Sequence, residues 1–152
     1  MIAFITVPEE KARIAGLILR DLPDWFGIPE STAHYIDESR KMPFWAAVED
    51  DQPTGFIALK ETGPKTAEIF VMGVRREWHR RGVGTLLWEV FRDYAQACGY
   101  EYVQVKTVRR GCYDIYDRTN DFYEHLGFRA LECFPTLWDE MNPCQVYVRY
   151  IG

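Results

Sequence analysis

The sequence has little of what would place it in several large protein classes. It carries four cysteines, Cys98, Cys112, Cys133 and Cys144. No two of them form a C-x-x-C pair, and none stands at zinc-ligand spacing with the three histidines. A disulfide framework is not expected for a core of this size, so the thiols are read as reduced, in a cytoplasmic protein, with no metal. His34, His79 and His125 fall on different segments, which leaves no catalytic histidine to assign. No apolar window approaches transmembrane length, and the run from Ile2 to Val7 lacks the basic start and long apolar stretch of a secretory signal, so no membrane partner is expected. Positive charge is not in excess either. The net charge of −5 argues against a general nucleic-acid binder, because phosphate backbones call for a basic surface. Internal repeats and low-complexity linkers are missing.

What is present fits one folded domain over residues 1–152. Hydrophobic residues make up 47% and charged residues 27%, a globular balance. Aromatics reach 15%, enough for a well-filled core and an aromatic-walled cleft.

The chain alternates between strand and helix signals. A strand is expected from Ile2 to Val7, then a helix opened by Pro8-Glu9-Glu10 with the stripe Ile14, Leu17, Ile18 and Leu22, stopped at Pro23. A loop with Trp25 and Phe26 leads to a second helix from about Glu30 to Lys41. Three strands follow on short turns: Phe44 to Glu49, Gly55 to Lys60 and Ala67 to Val74, with Asp50 to Pro53 and Gly63 to Lys65 as the turns. The strongest helix carries Val83, Leu86, Leu87, Val90, Phe91, Tyr94 and Ala97 at a period near 3.6 and ends at Gly99. A strand from Tyr102 to Val108, a helix from about Ile115 to Leu126, and strands near Arg129 to Phe134 and Gln145 to Ile151 complete an α/β mixture with a mainly antiparallel sheet.

The chemistry is concentrated in Val74-Arg75-Arg76-Glu77-Trp78-His79-Arg80-Arg81-Gly82-Val83-Gly84-Thr85. Here a strand runs through a basic, glycine-containing loop into the long helix. The first amides of a helix lack intrahelical acceptors and sit at the positive end of its dipole, so a phosphate or pyrophosphate fits there. Gly82 and Gly84 let an anion approach the backbone, and four arginines reverse the sign of an otherwise acidic chain. The loop lacks the P-loop pattern G-x-x-x-x-G-K-S/T, and it lacks G-x-G-x-x-G in an early βαβ unit.

The segment His79-Arg80-Arg81-Gly82-Val83-Gly84 resembles the pyrophosphate loop of the GNAT superfamily of N-acetyltransferases, whose pattern is Gln or Arg, two residues, Gly, one residue, then Gly or Ala. His79 stands where that family usually has Gln or Arg. A second stretch, Phe122-Tyr123-Glu124-His125-Leu126-Gly127-Phe128, is similar to the family's F-Y-x-x-x-G-F motif. The two occur in the family's order, about forty residues apart with a strand between. Tyr116 occupies a place where many members carry Asn. The resemblance implies a GNAT-like mixed sheet of about seven strands flanked by about four helices.

It also implies acetyl-CoA as co-substrate. Its pyrophosphate would lie on His79, Arg80, Arg81, Gly82, Val83, Gly84 and Thr85, and its pantetheine arm along the backbone of Met72, Gly73 and Val74, where Gly73 would suit a bulge. Tyr123 would be the general acid for the departing thiolate. Glu68 would be a general base through water; held on an apolar face with Phe70, Met72 and Val74, it would have a raised pKa. Both have bland alternatives, a core tyrosine and a surface glutamate. Cys112 has no readable His or Asp partner and is read as a loop thiol. Lys106, Arg109 and Arg110 read as a solvated rim or as contacts to CoA or substrate.

The expected activity is transfer of an acetyl group to a primary amine, with a small molecule as the expected acceptor, by direct attack in a ternary complex. Trp25, Phe26 and Trp45, with the loop near Trp138, are the acceptor-side candidates by position. The alternative is a non-catalytic acyl-CoA-binding or sensing module. A homodimer is compatible with the sequence but not readable in it.

Overall fold

A proline opens each of the first two helices, where its missing N–H costs nothing and its fixed φ suits the first turn. In the computed structural model, which describes residues 1–152, β1 (Ile2–Phe4) leads to α1 (Pro8–Arg20) and then α2 (Pro29–Ser39). Next come β2 (Phe44–Glu49), β3 (Gln52–Gly63), β4 (Thr66–Val74), a 3-10 turn (Arg76–Trp78) and α3 (Val83–Ala97). The chain closes with β5 (Tyr102–Val108), α4 (Asp114–His125), β6 (Arg129–Asp139) and β7 (Asn142–Tyr150). The seven strands form one sheet in the order β1-β2-β3-β4-β5-β7-β6. The element order is the one the sequence implies. Two compact units divide the chain, Met1–Lys60 with Ile69–Cys98, and Glu61–Glu68 with Gly99–Gly152.

In the first unit β1, β2 and β3 pair antiparallel. Alternation along β2 sends Phe44 and Ala46 into a core with Ile14, Ile18, Leu19 and Leu22 of α1. Each such fully buried side chain contributes about 1.5–3 kcal/mol. Trp45 points the other way and meets Phe91 and Tyr94 of α3 at ring-centroid distances of 6.0 and 5.0 Å. The Lys11 ammonium is buried and donates to the Met42 carbonyl at 2.7 Å, tying α1 to the end of the α2 turn; burial pulls its pKa below the ordinary lysine value.

Several expectations are corrected in detail. The apolar stripe of α3 is rotated. Val83, Leu87, Trp88, Phe91 and Ala95 are buried, while Leu86 is 51% exposed and Ala97 lies at the surface. Leu86, Leu87 and Trp88 are consecutive, so periodicity left the rotation open, and the large indole takes the core. In α1, Leu17 is exposed and Leu19 takes its place inside. The β2–β3 turn is tighter than expected: Asp50 and Asp51 have φ of 50° and 62°, a two-residue hairpin loop, so Gln52 and Pro53 already belong to β3. β1 ends at Phe4 rather than Val7.

In the second unit β7 pairs antiparallel with β5 and with β6. Phe128, Val103 and Val105 are buried in its core, together with Tyr123 and Tyr147. The β6–β7 hairpin is longer than expected, so Trp138 lies within β6 and not in a loop. The pairing of β6 with β7 is interrupted between Phe134 and Asp139, which leaves Leu137 and Trp138 in the irregular stretch, 56% and 42% exposed.

Candidate functional site

Beyond β4 the backbone is shaped for an anion. After the 3-10 turn, His79 is extended, Arg80 is left-handed with φ 63°, and Gly82 is left-handed with φ 79° as the N-cap of α3. The Leu86 N–H reaches the Gly82 carbonyl at 3.1 Å and begins the helical ladder. The N–H groups of Val83, Gly84 and Thr85 precede that bond, and an α-helix offers them no internal acceptor. Left-handed residues in such a turn let consecutive amides converge on one anion, at the positive end of the dipole. Gly82 is required by its φ. A Cβ there would meet nothing within 4 Å, so the space in front of the loop is open and the residues fit a pyrophosphate.

The four arginines do different work. The Arg76 guanidinium pairs with Asp24 at 3.0 Å, and its backbone N–H donates to the Asp21 carboxylate at 3.0 Å. The Arg81 guanidinium lies over the Trp78 ring, 4.8 Å from its centroid. Arg75 is half-buried; its N–H bonds the Thr54 carbonyl at 2.8 Å and its Nε is a buried donor without a partner. Arg80 is exposed. Arg76 and Arg81 are exposed as well, but each is engaged, Arg76 by Asp24 and Arg81 by the Trp78 ring.

His79 Nε2 lies 2.7 Å from the Val74 carbonyl, and its ring meets the edge of Trp25 at 5.8 Å. Met72 and Val74 are half-buried on β4. Gly73 is buried where a Cβ would stand 3.1 Å from Ile18 Cγ2 and 3.2 Å from Leu22 Cδ1, so packing favours a glycine there.

Of the acceptor-side aromatics, Trp25 sits on His79. Phe26 meets Tyr35 edge-on at 5.9 Å, Tyr35 meets Phe70 at 5.4 Å, and the Lys60 ammonium stands 5.7 Å from the Phe70 centroid. Trp45 is a different case. It is 6% exposed, packed against Phe4, Phe91 and Tyr94, and offers no surface to a ligand.

The second unit holds the two expected proton-transfer residues. Glu68 is 5% exposed, yet not on a bare apolar face: its carboxylate takes the Lys106 ammonium at 3.0 Å and the Gln104 amide at 3.1 Å. Gln104 and Lys106 share one face of β5 by two-residue alternation, the signal that could have linked them. Tyr123 is 6% exposed, with ring contacts to Phe122, Phe128 and Tyr147. Sequence reasoning missed Asn120, one turn earlier and fully buried. Its amide donates to the Val108 carbonyl at 2.9 Å and the Tyr116 carbonyl at 2.6 Å, and its Oδ1 accepts from the Tyr147 hydroxyl at 2.5 Å. Burial, and then the Glu124 charge, push the Tyr147 pKa up, which keeps that hydroxyl a donor. Arg110, expected at a solvated rim, pairs with Asp121 at 2.7 Å and Glu124 at 2.5 Å.

The thiols differ in environment. Cys98 and Cys112 are exposed, whereas burial pushes the Cys144 pKa up to about 11. A higher pKa leaves less thiolate, so at pH 8 iodoacetamide is expected to label Cys98 and Cys112 within minutes and to leave Cys144 unmodified until the protein unfolds, as read by peptide mass spectrometry.

Comparison with known proteins agrees with this architecture. The acetyltransferase (GNAT) family matches residues 12–128, well over half of the chain. An uncharacterized N-acetyltransferase from Bacillus subtilis (strain 168), YsnE, is 28% identical over 102 residues, which is 67% of this chain and 66% of that protein. Among solved structures, one assigned to the GNAT acetyltransferases, from Desulfovibrio desulfuricans, superposes with a TM-score of 0.85 at 18% identity, covering 100% of this chain and 99% of that one. An aminoglycoside 6′-N-acetyltransferase complexed with coenzyme A gives a TM-score of 0.77 at 20% identity, covering 100% and 97%. Ard1 from Thermoplasma volcanium gives 0.79 at 17% identity, again covering 100% and 97%. At such identities the likeness of structure speaks for the fold. The family match, taken over the segment that builds the strand, the left-handed loop and the helix N-terminus, shows that the chain belongs to the acetyltransferase (GNAT) family.

Proposed function

We propose that this protein is an acetyl-CoA-dependent N-acetyltransferase, with residues 1–152 acting as a single acyltransferase domain and a small-molecule primary amine as acceptor. The observation that carries the reading is the loop His79-Arg80-Arg81-Gly82-Val83-Gly84, left-handed at Arg80 and Gly82 and open in front of Gly82. Acetyl-CoA supplies an acetyl group activated as a thioester. The amides of Gly82 to Thr85, with Arg80, bind its pyrophosphate, and the backbone of Met72 to Val74 orients its pantetheine arm. A backbone N–H near Val74 offers a hydrogen bond to the thioester oxygen as charge develops there. The Tyr123 hydroxyl donates its proton to the departing sulfur. Glu68 accepts the proton of the substrate ammonium through water. Trp25 and Phe26 form part of the acceptor wall; Trp45, packed against α3 on the other face of β2, takes no part in it.

One observation favours a second reading, a non-catalytic acyl-CoA-binding or sensing module: the Glu68 carboxylate is already committed to Lys106 and Gln104. The two readings separate in one experiment. Calorimetric titration with acetyl-CoA is paired with an amine screen that detects free thiol. Micromolar-range binding with thiol release on some amine is expected. Binding with no release on any amine supports the module, and no binding by folded protein removes both. A Gly82→Val variant, which puts a β-branched residue at φ 79°, is expected to bind at least about tenfold more weakly.

A further inference from the structure

His79 stands where the family's loop usually begins with Gln or Arg, and its side chain turns back to the strand. We infer that His79 is a positioning residue for the cofactor loop: it latches the loop to the end of β4, and the segment after α1 holds the latch in place. The inference rests on the acetyl-CoA reading above.

The geometry is local and directional. A carbonyl oxygen can only accept, so Nε2, 2.7 Å from the Val74 oxygen, carries the hydrogen and donates it. Protonation of Nδ1 leaves that bond in place. The bond closes a short ring from Val74 to His79, immediately before the left-handed Arg80 that turns the chain toward the helix. The Val74 carbonyl is thereby occupied.

Four further ties hold the same half of the loop. Arg75 N–H is held by the Thr54 carbonyl at 2.8 Å. Arg76 is held twice, through its backbone N–H by Asp21 and through its guanidinium by Asp24, each at 3.0 Å. The Trp25 ring meets the His79 ring at an interplanar angle of 79°. Residues 75 to 79 are therefore anchored, and the chain from Arg80 onward emerges from a fixed point. The amides of Gly82 to Thr85 then have a set direction before any ligand arrives, which lowers the ordering cost of binding. The anchors Asp21, Asp24 and Trp25 come from the connection between α1 and α2, the segment proposed as acceptor wall. The acceptor-side loop and the cofactor loop are thus one mechanical unit within the first half of the chain.

The test compares His79→Ala and His79→Gln with wild type by acetyl-CoA calorimetry, and by amide NMR of the free protein. An exposed hydrogen bond of this kind supports a three- to tenfold effect at most. His79→Ala should weaken acetyl-CoA binding by that factor, with an unchanged thermal midpoint and, once an acceptor is known, a raised KM for acetyl-CoA at nearly constant kcat. It should also shift the resonances of Arg80 to Thr85 without ligand. His79→Gln, whose amide N–H reaches the same carbonyl, should restore both to near wild type. Asp21→Ala should repeat the His79→Ala effect, and Asp21→Asn, which keeps an acceptor for Arg76 N–H, should not. Wild-type affinity and unmoved resonances in His79→Ala would overturn the latch, as would a Gln variant as weak as the Ala variant. If wild type binds no acetyl-CoA, the cofactor reading fails, and the NMR comparison alone decides whether His79 positions the loop.

Discussion

Tyr123→Phe is expected to lower kcat by about 10²- to 10⁴-fold, the range for removing a positioned proton donor, with acetyl-CoA affinity within twofold of wild type. The substitution isolates one atom. The tyrosine is 6% exposed and its ring packs on Phe122, Phe128 and Tyr147, contacts a phenylalanine keeps, so the fold and the loop after β4 are undisturbed. Stopped-flow thiol release measures kcat, and calorimetry with acetyl-CoA measures the affinity. Full turnover by Tyr123→Phe would return Tyr123 to the core and leave the leaving thiolate to another donor.

Asn120→Ala is expected to be the most damaging single polar substitution for stability. The side chain is completely buried and saturated, with two donated bonds, to Val108 and Tyr116, and one accepted from Tyr147. Truncation strands the Val108 carbonyl at the end of β5 and leaves the Tyr147 hydroxyl on β7 only its longer bond to the Glu124 carboxylate, at 3.3 Å. Each buried orphan costs about 1–3 kcal/mol, so a loss of about 3 kcal/mol is expected, or roughly 10 °C in thermal midpoint for a chain of this size. Asn120→Asp should be no better, because a carboxylate offers no proton to the Val108 carbonyl. Tyr147→Phe should lose only about 1 kcal/mol, since Asn120 keeps its donated bonds. Urea and thermal denaturation settle the ranking. An Asn120→Ala protein within 1 kcal/mol of wild type would mean that water or a neighbouring group takes over the stranded partners.

The parts of the site that were readable in the sequence are the local ones. Glycines two apart, flanked by arginines and followed by a helix of period 3.6, state a loop-to-helix junction without help from the rest of the chain. The Tyr123 segment is likewise contiguous. The parts that were misread depend on distant partners. Asp24 reaches Arg76 across 52 residues, and Asp21 reaches its N–H across 55, ties that a local cluster of arginines does not reveal. Gln104 lies 36 residues beyond Glu68, so the carboxylate read as resting on an apolar face was in fact partnered. Trp45 and Trp25 are both tryptophans near loops; only packing against Phe91 and Tyr94 sends Trp45 into the core.

The sequence by itself determined the order of strands and helices, the glycine-containing loop that runs into α3 and the family to which the chain belongs. These follow from backbone constraints and side-chain periods, which act between near neighbours. The tertiary structure alone decided the rotation of α3, the pairing of the buried Glu68 carboxylate with Lys106, the three hydrogen bonds of Asn120 and which arginines of the loop are held by other side chains. Each of those is a choice among chemically equivalent partners, made by which surfaces exclude water when distant segments meet.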